Sequence, residues 1–147
     1  MIQTYQILPV VAIVCSASAI AQNAADPVQM VQQNITLISS ATKILDDVKD
    51  ASAATNAITQ INSLTHQAKA LDKAMDKVKL TSDQAIKIAK LNGESQDVIV
   101  KLLENCARLQ KDKIMTPALT KAINKFADAA NIEVVETFTS FEEIEED

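Results

Sequence analysis

The amino-acid sequence predicts an all-α fold, an up-and-down bundle of four to five helices joined by short turns. The chain has 147 residues, of which one is Gly and three are Pro, so it is poor in the residues that end helices and build turns. Apolar residues recur at spacings of three and four, as they do on the buried face of a helix. Aromatic residues make up 3% of the chain, and the predicted core is therefore aliphatic.

The first predicted element, residues 1–21, has the features of a secretory signal peptide. It carries no charge, is apolar over residues 7–14, and closes on the small residues Ala19 and Ala21, which suit cleavage by a signal peptidase. Because no Lys or Arg precedes the apolar stretch, an uncleaved membrane anchor and a buried first helix stay open as alternatives. Lipid attachment at Cys15 is disfavoured. The sequence thus predicts export, either to the periplasm or out of the cell.

Residues 22–131 are predicted to form one helical bundle domain, since their number suits a single core. Its first helix is expected to begin with Asp26 as the cap, Pro27 in the first turn and Gln29 closing a capping box. The predicted buried positions of this helix are Val28, Val31, Ile35, Ile38, Ala41, Ile44, Leu45 and Val48. The predicted water-facing positions are Asn34, Ser39, Lys43 and Asp46.

The second helix is expected to follow a turn near Asp50 and to end near Leu80. Its predicted buried positions are Ile58, Ile61, Leu64, Ala68, Leu71, Met75 and Val78. Thr81 and Gln84 fit a capping box that opens a short third helix. The Asn-Gly pair at residues 92–93 is typical of a helix end and predicts that this third helix stops there.

A fourth helix is expected to begin with Ser95 as its cap, and a fifth with Thr116 followed by Pro117. The predicted buried positions of these two helices are Val98, Ile99, Leu102, Leu103, Cys106, Leu109, Leu119, Ala122, Ile123, Phe126 and Ala130. Short connections predict that helices consecutive in the chain are antiparallel neighbours.

The C-terminal tail, residues 132–147, differs from the bundle in composition. Residues 132–141 are rich in Val, Thr, Phe and Ile, which favour a strand over a helix. Residues 133–147 hold seven of the 19 acidic residues and none of the 14 basic ones, so the net charge of −5 originates in this tail. Three interpretations stay open: a solvated end, a partner-binding segment that joins another protein's sheet or packs across the bundle, and a last helical turn capped by Ser140.

Two residues carry side chains of chemical interest, His66 and Cys106. His66, the only histidine, is expected on the water-facing side of its helix without a second ligand beside it, as an ordinary surface histidine. Cys106 would be the only cysteine after cleavage, and its spacing predicts a buried thiol of low reactivity rather than an intermolecular disulfide. Because the chain has no C-x-x-C-H motif and no His pair, the sequence predicts no haem or other cofactor.

Neither the charged clusters nor the glycosylation sequon of this sequence predicts a functional site. Asp46, Asp47 and Asp50 lack the alternation, the Gly and the distal Glu of an EF-hand loop, so no metal site is predicted. The lysines of residues 69–77 are interleaved with acids and lack stacking aromatics, which argues against nucleic-acid binding. The Asn-Ile-Thr sequon at residues 34–36 lies within a predicted helix, where glycosylation is not expected.

The middle of the chain contains a run of small and apolar positions that consists of Leu45–Ala54 followed by Ala57, Ile61, Leu64 and Leu71. This run resembles a segment of small uncharacterised bacterial secreted or envelope helical proteins, and the resemblance spans residues 35–80. It implies a bacterial exported bundle of unknown activity. No functional residue is carried over from it.

The sequence therefore predicts a non-enzymatic exported protein of the bacterial envelope that acts through protein–protein interaction. The expected partner is another envelope protein, or a second copy of the chain. Nucleic acid is excluded, and membrane contact is expected only if residues 1–21 stay uncleaved. An amphipathic lipid-associating bundle is an alternative, although its helices lack the Trp, Phe and basic faces typical of the membrane interface. A carboxylate-based metal carrier is less favoured still.

Overall fold

The computed structural model describes residues 26–132, which form four α-helices and no strand within that range. The helices are α1 (Pro27–Asp46), α2 (Ala51–Met75), α3 (Ser82–Lys111) and α4 (Pro117–Ala129). The predicted all-helical bundle is thus confirmed, with four helices. The predicted signal peptide and the tail from residue 133 lie outside the described residues. None of the four helices is both long enough and apolar enough to cross a membrane.

Asp26 and Thr116 cap α1 and α4, as predicted. The Asp26 carboxylate accepts a hydrogen bond from the backbone N–H of Val28 at 3.0 Å, and the Thr116 hydroxyl accepts one from Leu119 at 3.1 Å. Each cap satisfies an N–H group that has no partner within the helix. Gln29 does not close the predicted capping box: it is exposed, and Asp26 alone caps α1.

Thr81 and Gln84 form the predicted capping box at the start of α3. The Gln84 N–H donates to the Thr81 hydroxyl at 3.3 Å, and the Thr81 N–H donates to the Gln84 side-chain oxygen at 3.0 Å. The turn predicted near Asp50 is also present. The Asp50 carboxylate caps α2 by accepting the N–H of Ala53 at 2.8 Å. Side-chain caps therefore fix the start of every described helix.

The second helix ends at Met75 and not near Leu80. Its amphipathic pattern continues to Val78, which is half-buried, but residues 76–80 are no longer helical. Because α2 and α3 run in opposite directions, the chain has to reverse before Thr81, whose capping conformation is extended at φ −78° and ψ 161°. Residues 76–80 make this reversal, although their apolar spacing alone would assign them to the helix.

The helix end predicted at residues 92–93 is wrong, and α3 runs unbroken from Ser82 to Lys111. A Gly that ends a helix adopts positive φ, and no Gly in the described range does so. Gly93 therefore costs the helix about 1 kcal/mol relative to Ala. Ser95, the predicted cap, is buried inside the helix, where its hydroxyl donates to the Asn92 carbonyl at 2.7 Å.

Replacing Gly93 with Ala is expected to stabilise the protein by about 1 kcal/mol. A Cβ added at this position meets no heavy atom within 4 Å. Ala89 is exposed in the same helix and provides the reverse control, since Ala89→Gly should destabilise by a similar amount. Urea denaturation followed by circular dichroism measures both changes. A loss of stability in Gly93→Ala would contradict the prediction.

Chain direction alternates between consecutive helices, yet the closest helix contacts include parallel pairs. Asn105 and Arg108, late in α3, donate hydrogen bonds to the carbonyls of Thr42 and Val48 at the end of α1, so α1 and α3 are parallel. The close pairs are α1–α3, α2–α4 and α1–α2. The prediction that consecutive helices are neighbours is therefore confirmed for α1 and α2, and it is wrong for α2 and α3 and for α3 and α4, which are not among the close pairs. The buried stripe of α1 is broad enough to pack against two helices at once.

The core is aliphatic, as predicted, with one phenylalanine at its centre. Its largest fully buried side chains are Phe126, Leu45, Ile61, Leu102, Leu109, Leu119, Val48 and Pro27. Met30 and Leu37 are also buried, although neither belongs to the predicted stripe. Asn34 does not simply face water as predicted, since it is half-buried and its amide donates to the Ala130 carbonyl at 2.8 Å.

Candidate functional site

The described residues form an open cleft of about 540 Å³ at the end of the bundle where α1 and α3 begin and α2 and α4 end. We call this space the basal cleft. Its apolar walls are formed by half-buried side chains, among them Val31, Ile35, Leu71, Ile88 and Ile99. The volume lies within the range of roughly 300–1,000 Å³ typical of ligand-binding pockets.

Uneven burial along α3 accounts for the position of the cleft. In the first half of this helix, Ser95 is the only buried residue, whereas Leu102, Cys106 and Leu109 are buried in the second half. The second half therefore packs closely into the bundle. The first half leaves Ile88 only partly covered, as is Ile99 just beyond it, and the space beside them is the basal cleft.

Polar side chains in the cleft wall already bond to the protein itself. Asn34 donates to the Ala130 carbonyl at 2.8 Å, and Asn131 donates to Asp72 Oδ1 at 2.8 Å. The Ser95 hydroxyl donates to a carbonyl of its own helix. Asn92 and Gln96, both exposed, also line the cleft, so the surface that it offers to an occupant is partly apolar and partly polar.

Asp72 is the only titratable side chain among the residues that line the basal cleft. General acid–base catalysis requires proton-transferring groups placed at the reacting atoms, and covalent catalysis requires a nucleophile beside a base. The described lining shows no nucleophile bonded to a base, since the Ser95 hydroxyl donates to the Asn92 carbonyl and not to Asp72.

Cys106 is buried, as predicted, with 2% of its surface exposed. It lines a void of about 10 Å³ between α3 and α4, which is at the lower limit for holding one water molecule. Burial raises the pKa of the Cys106 thiol from 9.0 to about 11, because the thiolate loses its hydration. Within the described chain this cysteine is a protonated, poorly accessible packing residue.

Stability is expected to fall as the pH rises from 9 to 11, because of Cys106. In the unfolded chain the thiol ionises near pH 9.0, whereas the folded chain holds its proton up to about pH 11. The folded state therefore binds more protons in this window, so stability that is fully present below pH 9 is lost at up to about 1.4 kcal/mol per pH unit.

Urea denaturation at neutral pH and between pH 9 and 11 tests this effect against Cys106→Ala. The alanine variant still loses stability at alkaline pH through its other titratable groups, but it lacks the contribution of the thiol. Its stability should therefore fall less steeply than that of the parent protein. Parallel pH profiles for the two proteins would exclude a raised thiol pKa.

The other residues considered from the sequence do not form a site together. His66 is exposed, as predicted. Asp46 ends α1, Asp47 follows it as the C-cap, and Asp50 uses its carboxylate to cap α2. Among residues 26–132 no three His, Cys, Asp or Glu side chains are grouped to hold a metal ion.

Sequence reasoning missed the basal cleft. The sequence predicts a separate short helix for the first half of α3 and places Val31 and Ile35 in a closed core. The sequence carries one indication of the cleft. Apolar residues are dense in the second half of α3 and sparse in residues 82–97. Too little apolar surface is present there to fill the space between α1 and α2.

No protein-family model matches this chain, and comparison with curated proteins and with solved structures likewise yields no match. The resemblance to bacterial envelope proteins therefore stays an expectation from the sequence.

Proposed function

We propose that this protein is a non-enzymatic exported protein of the bacterial envelope that binds an apolar segment of a partner protein in the basal cleft. The single observation that carries the proposal is the cleft itself, about 540 Å³, whose walls include a group of half-buried apolar side chains among polar ones. An apolar segment that fills it removes partly exposed side chains such as Ile88 from water, and such burial drives association.

Three properties of the cleft support binding over catalysis. Its lining contains one titratable side chain, Asp72, and that carboxylate accepts a hydrogen bond from Asn131. The hydroxyl of Ser95 is committed to its own helix. The thiol of Cys106 lies between α3 and α4, outside the cleft lining. An occupant would thus meet a mixed apolar and polar surface with one titratable side chain.

Site-specific photo-crosslinking in the native cells tests the proposal. Benzoylphenylalanine at Ile35 places the crosslinker in the cleft wall, and the same probe at Ile86, which is 69% exposed and absent from that wall, is the matched control. We expect a partner adduct of defined mass from position 35 only. The adduct should disappear when Ile88→Lys introduces a charge into the cleft. Equal adducts from both positions, or none from position 35, would refute the proposal.

Export is tested by the intact mass of the protein isolated from its native envelope. Cleavage after Ala21 leaves Gln22 as the first residue. We expect this mature mass in the soluble envelope fraction. A mass that includes residues 1–21, found with the membrane, would favour the anchored form.

A lipid-associating bundle is the second candidate, because apolar walls also suit an acyl chain. Liposome flotation separates the two functions. A partner-binding protein is expected to stay in the soluble fraction. Flotation that is lost in Ile88→Lys and retained in Val100→Lys, a change at a half-exposed position outside the cleft lining, would favour lipid.

A further inference from the structure

We infer that the protein's own C-terminal segment, residues 133–147, occupies the basal cleft when no partner is bound. The inference deepens the proposed function and rests on it in one respect, since the cleft is the partner site that this segment would cover. Partner and tail would then compete for the same apolar walls.

The chain leaves the described residues at the wall of the cleft. α4 ends in a Schellman motif, in which Asn131 adopts φ 54° and the N–H of Ile132 donates to the Ala127 carbonyl at 2.9 Å. This turn buries Ile132, which is 7% exposed and lines the cleft. The hydrogen bond from Asn131 to Asp72 ties the same turn to α2. The next residue therefore starts at the cleft.

The tail is long enough to fill the space. Along α1 the cleft wall extends from Met30 to Ile38, about 12 Å at 1.5 Å per helical residue. Residues 134–141 cover about 12 Å as a helix, and about 26 Å when extended. Either conformation reaches across the cleft without leaving the bundle.

The apolar residues of the tail match the cleft walls. Val134, Val135, Phe138 and Phe141 follow Ile132 within nine positions and include two of the three phenylalanines of the chain. Leaving these side chains in water is unfavourable, and a partly covered apolar wall begins at the preceding residue. The proximity of the two surfaces in one chain gives a high effective concentration.

Charge also favours this placement. Residues 133–147 carry seven acidic side chains and no basic one. The segment from residue 69 to residue 90, which joins α2 to α3 beside the cleft, carries a net charge of +3. Its six basic residues are exposed: Lys69, Lys73, Lys77, Lys79, Lys87 and Lys90. None of the six lysines lines the cleft, so the attraction acts between the acidic end of the tail and the surface beside the cleft.

A single tryptophan at position 138 of the full mature chain tests the inference, because the protein contains no Trp. In Phe138→Trp we expect blue-shifted emission and several-fold protection from acrylamide quenching relative to the urea-unfolded protein. Adding Ile88→Lys should abolish both effects while circular dichroism stays helical. Adding Val100→Lys, outside the cleft lining, should leave both unchanged. Emission like that of the unfolded chain in the parent protein would overturn the inference.

A second measurement does not depend on a cleft variant folding. Benzoylphenylalanine at position 138 should crosslink within one chain to peptides that contain Ile35, Ile88 or Ile99. A crosslinked dimer, or emission that varies with protein concentration, would overturn the inference in favour of a second copy as the occupant. Crosslinks confined to surfaces outside the cleft would overturn it as well.

Failure of the inference and failure of the proposed function are distinguishable. Tail docking is measured on the purified protein alone, whereas partner binding is measured by the adduct from position 35 in cells. If the tail docks, Phe138→Glu should raise the yield of that adduct several-fold. A docked tail with no partner adduct would refute the proposed function only, and a partner adduct with an exposed tail would refute this inference only.

Discussion

Replacing Phe126 with Ala is expected to destabilise the protein by about 3–5 kcal/mol. Phe126 is 1% exposed and is the only phenylalanine within the described bundle. Its ring lies in a core made otherwise of aliphatic side chains, which are too short to close the space that its loss would leave. Because a domain of this size is stable by about 5–15 kcal/mol, the variant should be partly unfolded or close to it.

Urea denaturation monitored by circular dichroism measures this loss, and two variants calibrate it. Lys125→Ala changes an exposed neighbour in the same helix and should alter stability by less than about 0.5 kcal/mol. Phe126→Leu keeps most of the apolar volume, so its loss of stability should lie between those of Lys125→Ala and Phe126→Ala. A cost for Phe126→Ala below about 1 kcal/mol would mean that the core collapses around the missing ring.

The helix starts were predictable because capping is a local interaction. Asp26, Thr81 and Thr116 each reach an N–H group two or three residues ahead, so the sequence contains both partners of the bond. The buried positions of α4 were predictable for a related reason, since its apolar residues recur without interruption. Local pattern and tertiary structure agree in these elements.

The helix end at residues 92–93 was not predictable from local pattern. Gly93 can adopt either sign of φ, and here its φ is not positive, which continues the helix into the buried second half of α3. The close approach of the parallel helices α1 and α3 depends on long-range packing. It brings Asn105 to the Thr42 carbonyl, residues that no sequence spacing relates.

The basal cleft was not predictable because it is a space left between four elements. Its position depends on how far the first half of α3 stands from α2 and on where α4 ends. Half-buried residues such as Val31 and Ile35 have the same spacing as fully buried ones. Periodicity identifies the inward face of a helix and does not report whether another helix covers it.

Removing the Arg108 guanidinium is expected to cost about 2 kcal/mol, the next largest effect after Phe126. Nη2 donates to the Leu45 carbonyl at 2.8 Å and Nη1 to the Val48 carbonyl at 3.1 Å. These carbonyls lie at and just beyond the C-terminal end of α1, where the helix dipole also favours a positive charge. The salt bridge to Asp112, at 3.8 Å and partly exposed, adds little.

Arg108→Met is the sharpest form of this test, because it keeps the apolar stem of the side chain and removes the charge and the donors. Urea denaturation should show a loss of about 2 kcal/mol, since the freed carbonyls are part-buried and only partly regained by water. Arg108→Lys should lose less, because one ammonium can still reach one carbonyl and because the buried Nε, which has no partner among the described residues, is removed. Equal stability of the Met variant and the parent would mean that water caps α1 as well as Arg108 does, and that packing alone joins α3 to α1.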